Sequence, residues 1–397
     1  MLVQMRLKRP GRSKGFSIKT PQHTFLTLIL LGLAPGRASA AGGIVEASLH
    51  GDMRPFRAGL LRLNPLLDQE KTLGISDGVG WATVGETLIG APDGKSIAAI
   101  RVPTGVPVWW NPVLAPPTAQ PTIFGSTVVV GLRNGAVQKL DVSTGKKIWE
   151  AQLDTFTERP FVMAGTTLLA LTSTQLLYAL DFQSGKVLWL YDGGFPEGMS
   201  VRPGASPIVN ENEVIFGITS GELLAINLQA GKLVWRHNPS YKESRFHDVV
   251  GQLIVKDQRL LVTRYDGFVA SIDISNASKQ DFKTIWSDEV SGITTSSFRD
   301  GRIYVGCING DTYAYDSSTG RRIWRNQTGQ SAASITPMEA NVYVGGTDGR
   351  LTAIEPMSGV TLWHDDLEAE IATPPVLVQE MLAFPTSLRN LYLYKVR

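Results

Sequence analysis

The sequence has a single cysteine, Cys307, among 397 residues. One thiol excludes an intrachain disulfide and any metal site built from several cysteines. Because Cys307 follows the apolar run that starts at Ile303, we expect a buried, unreactive thiol. The five histidines also lack the spacing of metal ligands; they are His23, His50, His237, His247 and His364.

The first 40 residues lack acidic side chains and a long apolar run. Their apolar stretch, Phe25 to Leu33, is much shorter than the ~20 residues that cross a bilayer as a helix. Six basic residues precede it, and it leads to Ala38-Ser39-Ala40. A basic start, a short apolar run and small residues are typical of a secretory signal peptide. We expect residues 1–40 to be that signal and the protein to be exported to the periplasm; an uncleaved membrane anchor is the alternative.

Outside that segment, basic residues are fewer than acidic ones. Seven of the 38 basic residues and none of the 36 acidic ones lie in residues 1–40, so the formal net charge changes from +2 to −5 without them. A mildly acidic domain without a basic stripe lacks the electrostatic footprint of nucleic-acid binding. We therefore predict no nucleic-acid partner. No cysteine stands at the expected cleavage point, so a bacterial lipid anchor has no attachment residue there.

The sequence does contain one motif that is repeated seven times, and each copy ends at a tryptophan. The separations between these tryptophans are 40, 40, 46, 51, 38 and 39 residues. A period of about 40 residues is typical of a four-stranded propeller blade. The residues are Trp109, Trp149, Trp189, Trp235, Trp286, Trp324 and Trp363.

One repeat can be divided into four strands. Residues 121–123 start the innermost strand, 127–132 and 136–142 form the next two, and an outer strand ends at Trp149. Asn134-Gly135 supplies the positive φ angles of a tight hairpin between the middle strands. The same frame recurs in the other repeats, except that residues 275–284 replace the Gly turn before Trp286. There we expect a longer, more polar turn.

The last repeat is incomplete. After Trp363 the chain has three more candidate strands, at 374–378, 381–385 and 390–394. A strand between residues 44 and 72 can supply the fourth and close the ring, which removes free sheet edges. The sequence therefore predicts an all-β fold: one eight-bladed β-propeller domain, residues 41–397, of four-stranded antiparallel blades.

Two roles are open for the seven tryptophans. They could form a stacking site for a ligand. Alternatively, a tryptophan at one fixed point of every blade can pack against the neighbouring blade and donate its indole N–H. We expect this second, structural role for all seven.

The repeat, an Asp or near equivalent followed by Ser/Thr-Gly-Lys and a closing Trp, resembles the pyrroloquinoline-quinone-type propeller family over about residues 75 to 397. One branch of that family is the quinoprotein alcohol dehydrogenases, with adjacent cysteines, a calcium site and large insertions. The other is non-catalytic, chiefly the BamB assembly factors. One cysteine and compact repeats favour the second branch. The resemblance then implies no enzymatic activity and no cofactor, with a quinoprotein dehydrogenase or another ligand-binding propeller as the alternative.

The resemblance also implies partners and a location. It implies a BamA-like barrel-assembly subunit as partner, with unfolded outer-membrane proteins as a second class. The protein would be a periplasmic scaffold, peripheral to the inner face of the outer membrane and held there by its partner.

Two inter-blade segments resemble the partner-binding loops of the BamB branch. Residues 199–202 look like its apolar, Arg-containing loop, and residues 245–248 like its acidic loop, although Val250 replaces a second Asp. Alternating strand directions place both segments on one face. The residues expected to bind the partner are Phe195, Met199, Val201, Arg202, Arg245 and Asp248. The alternative is that Arg202 and Asp248 only pair with each other.

Overall fold

The chain folds into eight antiparallel sheets of four strands each. The computed structural model describes the backbone of residues 56–62 and, in full, residues 80–102, 104–194, 205–240, 244–388 and 390–395. All eight sheets fall within one compact unit. Each sheet is one blade, so the predicted eight-bladed propeller is confirmed.

The strands are numbered in chain order, and the blades follow the same order. Blades 1 and 2 consist of β2 (Ala82–Val84), β3 (Thr87–Gly90), β4 (Ser96–Arg101), β5 (Val106–Pro112), β6 (Thr122–Phe124), β7 (Thr127–Gly131), β8 (Ala136–Asp141) and β9 (Lys147–Gln152). Blades 3 and 4 consist of β10 (Val162–Ala164), β11 (Thr167–Leu171), β12 (Leu176–Asp181), β13 (Val187–Asp192), β14 (Ile208–Asn210), β15 (Glu213–Gly217), β16 (Leu223–Asn227) and β17 (Leu233–His237). Blades 5 and 6 consist of β18 (Val249–Lys256), β19 (Arg259–Arg264), β20 (Phe268–Asn276), β21 (Asp281–Glu289), β22 (Ile293–Arg299), β23 (Arg302–Cys307), β24 (Asp311–Asp316) and β25 (Arg322–Gln327). Blades 7 and 8 consist of β26 (Ala332–Pro337), β27 (Val342–Gly346), β28 (Arg350–Ile354), β29 (Thr361–Asp366), β30 (Val376–Val378), β31 (Met381–Pro385), β32 (Asn390–Lys395) and β1 (Phe56–Arg62).

The ring closes through the N-terminal strand. β1 pairs antiparallel with β32, from Phe56 opposite Lys395 to Arg62 opposite Asn390, and becomes the outer strand of blade 8. The first strands of blades 1 and 8, β2 and β30, contact each other. The closure expected from the sequence is therefore confirmed.

The hydrophobic core is divided into layers between neighbouring blades. Val129 and Trp149 of blade 2, for example, pack with Leu168 and Leu180 of blade 3 in one buried cluster. Because each blade contacts only its two neighbours, stability is spread over a series of similar interfaces.

Local hydrogen bonds explain the recurring Asp-Ser-Thr-Gly turn. Asp141 Oδ1 accepts from the backbone N–H groups of Ser143 and Thr144, at 3.0 and 2.9 Å. Hydrogen bonds from the Ser143 and Thr144 side chains, with these backbone bonds, hold the pKa of the Asp141 carboxyl below its usual range. Gly145 then turns the chain with φ of 70°.

In five blades, the tryptophan ring lies against the turn glycine of the next blade. A Cβ at Gly145 would lie 2.6 Å from Trp109 Cδ2, and one at Gly185 would lie 2.7 Å from Trp149 Cε3. The same contact joins Gly231 to Trp189, Gly320 to Trp286 and Gly359 to Trp324. In these five pairs the indole N–H also donates to a backbone carbonyl of the next blade, on Val142, Phe182, Leu228, Ser317 and Pro356.

Blade 5 replaces the glycine contact with an aromatic one. Its insertion does not form the long polar turn expected from the sequence: β20 and β21 extend through most of it and are joined by a short 3-10 turn, Ala277–Lys279. The extended hairpin carries Phe282 onto Trp235, with ring centroids 5.4 Å apart. Trp235 then donates to Glu213 Oε2 of its own blade, at 2.9 Å, rather than to the next blade.

Candidate protein-docking face

The antiparallel strand order gives the propeller two different faces. Hairpins between second and third strands meet the connections between blades, as in the bonds from Leu153 N to Gly135 O and from Tyr265 N to Asp248 O, both 2.9 Å. We call this side the connection face. The opposite side, the turn face, carries the remaining turns, which bond to one another as from Val142 N to Ser126 O at 2.9 Å.

The six residues expected to bind a partner are only partly described. Phe195, Met199, Val201 and Arg202 lie outside the described residues, although Gly193 and Gly194 at the start of their segment lie on the connection face. Of the other two residues, Arg245 is exposed and Asp248 is buried, with 1% of its surface accessible.

The burial of Asp248 corrects one expectation. The sequence suggested a surface carboxylate, but Asp248 directly precedes β18, the first and innermost strand of blade 5. The chain therefore turns inward at this residue, and its backbone carbonyl accepts from Tyr265 N at 2.9 Å. The Asp248 side chain is therefore not exposed on the connection face.

Arg245 extends over a small aromatic group. Its guanidinium carbon lies 5.6 Å from the centre of the Phe246 ring. Phe246 in turn packs edge-on against Tyr265 of the blade 5 hairpin, with centroids 6.0 Å apart. Ser244 Oγ also bonds to the backbone of Phe246. An exposed arginine is therefore presented on an ordered support.

A buried arginine lies beneath this connection. Arg264 is 0% exposed and comes from the end of β19. Its guanidinium donates to Asn238 Oδ1 at 3.2 Å and to the Ser240 carbonyl at 2.8 Å, and it bonds to His247 Nδ1 at 2.7 Å and to Asp266. One side chain thus joins both ends of the connection between blades 4 and 5.

A second buried polar residue, Gln175, lies in the blade 3 hairpin, two blades before Arg264. Gln175 occupies the hairpin position where blades 1, 2 and 4 to 7 carry Gly, and it adopts a positive φ of 67°. Its side-chain amide donates to Gly194 O at 3.0 Å and accepts from Thr219 N at 2.7 Å. The sequence reasoning missed both Gln175 and Arg264, although each is a polar departure from the repeat.

A metal site and acid–base chemistry both depend on which side chains lie together in the described part of the chain. No group of three or more His, Cys, Asp or Glu side chains is placed there to hold a metal ion. A depression of about 540 Å³ is lined by first strands of blades 3 to 5, including Val162, Ile208 and Leu253, and has no titratable lining residue. General acid–base chemistry has no side chain to act through at this site.

Comparison with known proteins identifies the family. A family model described as "Outer membrane protein assembly factor BamB" matches residues 93–326 and 309–393, which is most of the chain. The chain belongs to the BamB family. A BamB from Burkholderia pseudomallei is 24% identical over 381 residues, covering 91% of this chain and 97% of that protein.

Solved structures agree on the fold. BamB from Moraxella catarrhalis matches with a TM-score of 0.70 and 20% identity, over 82% of this chain and 99% of that one. A europium-containing methanol dehydrogenase also matches, with a TM-score of 0.67 and 12% identity over 80% and 90% of the two chains. The propeller alone therefore does not separate an assembly factor from an enzyme, and the family assignment rests on the sequence match. Within the described ranges, no helix is both long and apolar enough to cross a membrane.

Proposed function

We propose that this BamB-family propeller is a non-catalytic periplasmic scaffold that assists the insertion of β-barrel proteins into the outer membrane. It would do so by binding a BamA-like subunit, with unfolded outer-membrane proteins as a second class of partner. The family match over most of the chain supports the class of function. The export signal predicted for residues 1–40 supports the location.

One observation supports the choice of surface: the exposed Arg245 lies over the Phe246 ring, which packs against Tyr265 on the connection face. Arginine and aromatic side chains dominate the energetics of protein interfaces. The planar guanidinium can also make paired hydrogen bonds to a partner carboxylate. The connection face is therefore the proposed docking surface.

The other residues expected at this surface keep different parts in the proposal. Phe195, Met199, Val201 and Arg202 belong to the connection that leaves blade 3 at Gly193, next to the one that carries Arg245. We propose them as direct partner contacts. Asp248, being buried, is proposed to shape its connection.

Replacing Arg245 by Glu tests the docking surface. The change reverses an exposed charge, so the melting temperature should stay near wild type. Binding to the purified periplasmic domains of the BamA-like subunit from the same bacterium should weaken by about tenfold or more, because a hot-spot contact becomes repulsive. Lys232→Glu, an exposed charge reversal on the turn face, is the matched control and should bind as wild type.

Two results would count against the proposal. Wild-type affinity in Arg245→Glu would exclude this surface. Dye-linked alcohol oxidation by the purified protein, after addition of pyrroloquinoline quinone and Ca²⁺, would instead favour the quinoprotein alternative.

A further inference from the structure

Arg264 is a departure from the repeat as well as a buried charge. It stands three residues before the hairpin glycine of its blade. The described counterparts in the other blades are uncharged: Ala91, Leu132, Thr172, Ile218, Cys307, Gly346 and Thr386. The repeat therefore folds without a cation here. The buried cation in blade 5 must therefore be explained by contacts that are particular to this blade.

Those contacts are the hydrogen bonds of Arg264 to the connection between blades 4 and 5. Asn238 and Ser240 start the connection between blades 4 and 5, and His247 is near its end. Asp266, on the blade 5 hairpin and only 1% exposed at its side chain, neutralises the guanidinium. The cluster therefore fixes both ends of the segment that presents Arg245.

The blade 4 hairpin fits closely against this cluster. Gly221, with φ of 85°, approaches so near that a Cβ there would lie 2.9 Å from His247 Cβ and 3.1 Å from Arg264 Cζ. Two neighbouring hairpins and one connection thus meet at Arg264. A shift of any of them would move His247 and the adjacent Arg245 support.

The cluster fixes the positions of the groups that it bonds and adds little to the free energy of unfolding. Arg264 Nε has no acceptor among the described residues. A buried ion pair generally stabilises a fold no better than apolar residues of the same size, because both charges lose their hydration. Its distinctive effect is a defined arrangement of the groups that it bonds.

Gln175 makes comparable hydrogen bonds at the connection between blades 3 and 4. Its amide bridges Gly194, which precedes the segment with Met199 and Arg202, and Thr219 on the blade 4 hairpin. Gln175 adopts a positive φ, which glycine would adopt without strain. The hydrogen bonds of its side chain therefore explain why a glutamine, and not a glycine, stands at this position.

We propose that Arg264 and Gln175 are positioning residues, which fix the described ends of these two connections for partner binding. The inference rests on the proposed function, since it concerns the same surface. If the binding-competent shape falls to about one tenth of the population, apparent affinity falls about tenfold even though no contact residue has changed.

A double substitution separates an effect on the position of the connection from an effect on the stability of the fold. Arg264→Met with Asp266→Asn removes both buried charges and leaves an Asn-Gly hairpin, which the chain already uses at Asn134-Gly135. We expect a folded protein, binding weakened by about tenfold or more, and faster amide hydrogen exchange in residues 238–248. Arg264→Lys alone should recover part of the affinity because a cation again faces Asp266.

Lys139→Met is the matched control. Lys139 is a buried cation too, donating to the Phe182 carbonyl at 2.9 Å with its ammonium 3.5 Å from the Phe182 ring centre, but it acts at the turn face. It should lower the melting temperature and leave partner affinity unchanged. Gln175→Gly is a second variant that relieves backbone strain, so it should fold and still bind about tenfold more weakly.

The outcomes distinguish the two proposals. Wild-type affinity in the Arg264/Asp266 and Gln175 variants, together with lost binding in Arg245→Glu, overturns the positioning role and leaves the docking surface intact. Wild-type affinity in all three overturns the docking surface itself. Equal loss of binding in Lys139→Met would show that general destabilisation explains the effect, which also overturns the positioning role.

Discussion

The contact between a tryptophan and the turn glycine of the next blade can be tested at Trp149 and Gly185. A Cβ at Gly185 would lie 2.7 Å from the indole ring, and the residue has φ of 74°. Gly185→Ala therefore adds two penalties, a strained backbone and a steric overlap. Gly165 in the same blade isolates the first penalty, because it has φ of 62° and no atom within 4 Å of its Cβ position.

The two penalties have different sizes. A residue with a Cβ in the left-handed region costs roughly 1–2 kcal/mol. Overpacking a well-filled interface adds roughly 1–3 kcal/mol. We therefore expect Gly165→Ala to lower the free energy of unfolding by about 1–2 kcal/mol and Gly185→Ala by about 2–5 kcal/mol.

Urea denaturation followed by tryptophan fluorescence measures both variants, with the loss read from the transition midpoint. A Trp149→Phe background, in which the ring is smaller, should reduce the cost of Gly185→Ala and leave that of Gly165→Ala unchanged. Equal losses for Gly165→Ala and Gly185→Ala would refute the proposal that the indole rests on the turn glycine.

Two further predictions concern titratable groups. Burial lowers the pKa of His237, which stacks on Phe282 at 4.1 Å between ring centres; protonation therefore favours the unfolded chain, and stability should fall as the pH drops below ~6.5, the ordinary histidine value. His237→Gln should flatten that loss between pH 7 and 5, while exposed His364→Gln should not; equal pH slopes for His237→Gln and wild type would contradict the assignment. Burial, with Asp311 nearby, raises the pKa of Cys307 to about 12, so a thiol reagent at pH 8 should label it only as fast as the protein unfolds. Immediate labelling of the folded protein would show that Cys307 is accessible.

Much of the fold can be predicted from the sequence because each blade repeats the same local chemistry. Asp141, Gly145 and Trp149 mark a turn and a strand end within one short segment, and their recurrence counts the blades. The missing outer strand of blade 8 follows from the same count. Local hydrogen bonds and the turn glycines account for this success.

The parts that the sequence did not predict depend on contacts between distant segments. Arg264 meets Asn238 and His247 only after blades 4 and 5 pack together, and no periodic pattern marks that meeting. Phe282 was assigned to a polar turn because its partner, Trp235, belongs to the preceding blade. Asp248 is buried because the chain turns inward towards β18, which a loop sequence does not indicate.

The central claim, that a BamA-like partner docks on the connection face, is tested most directly by hydrogen exchange of the wild-type protein with and without that partner's purified periplasmic domains. The claim predicts slower exchange in residues 193–205 and 238–248 on binding, and unchanged exchange at the turn around residues 228–232. Slower exchange only at the turn face, or complex formation with no change in either connection, would contradict it.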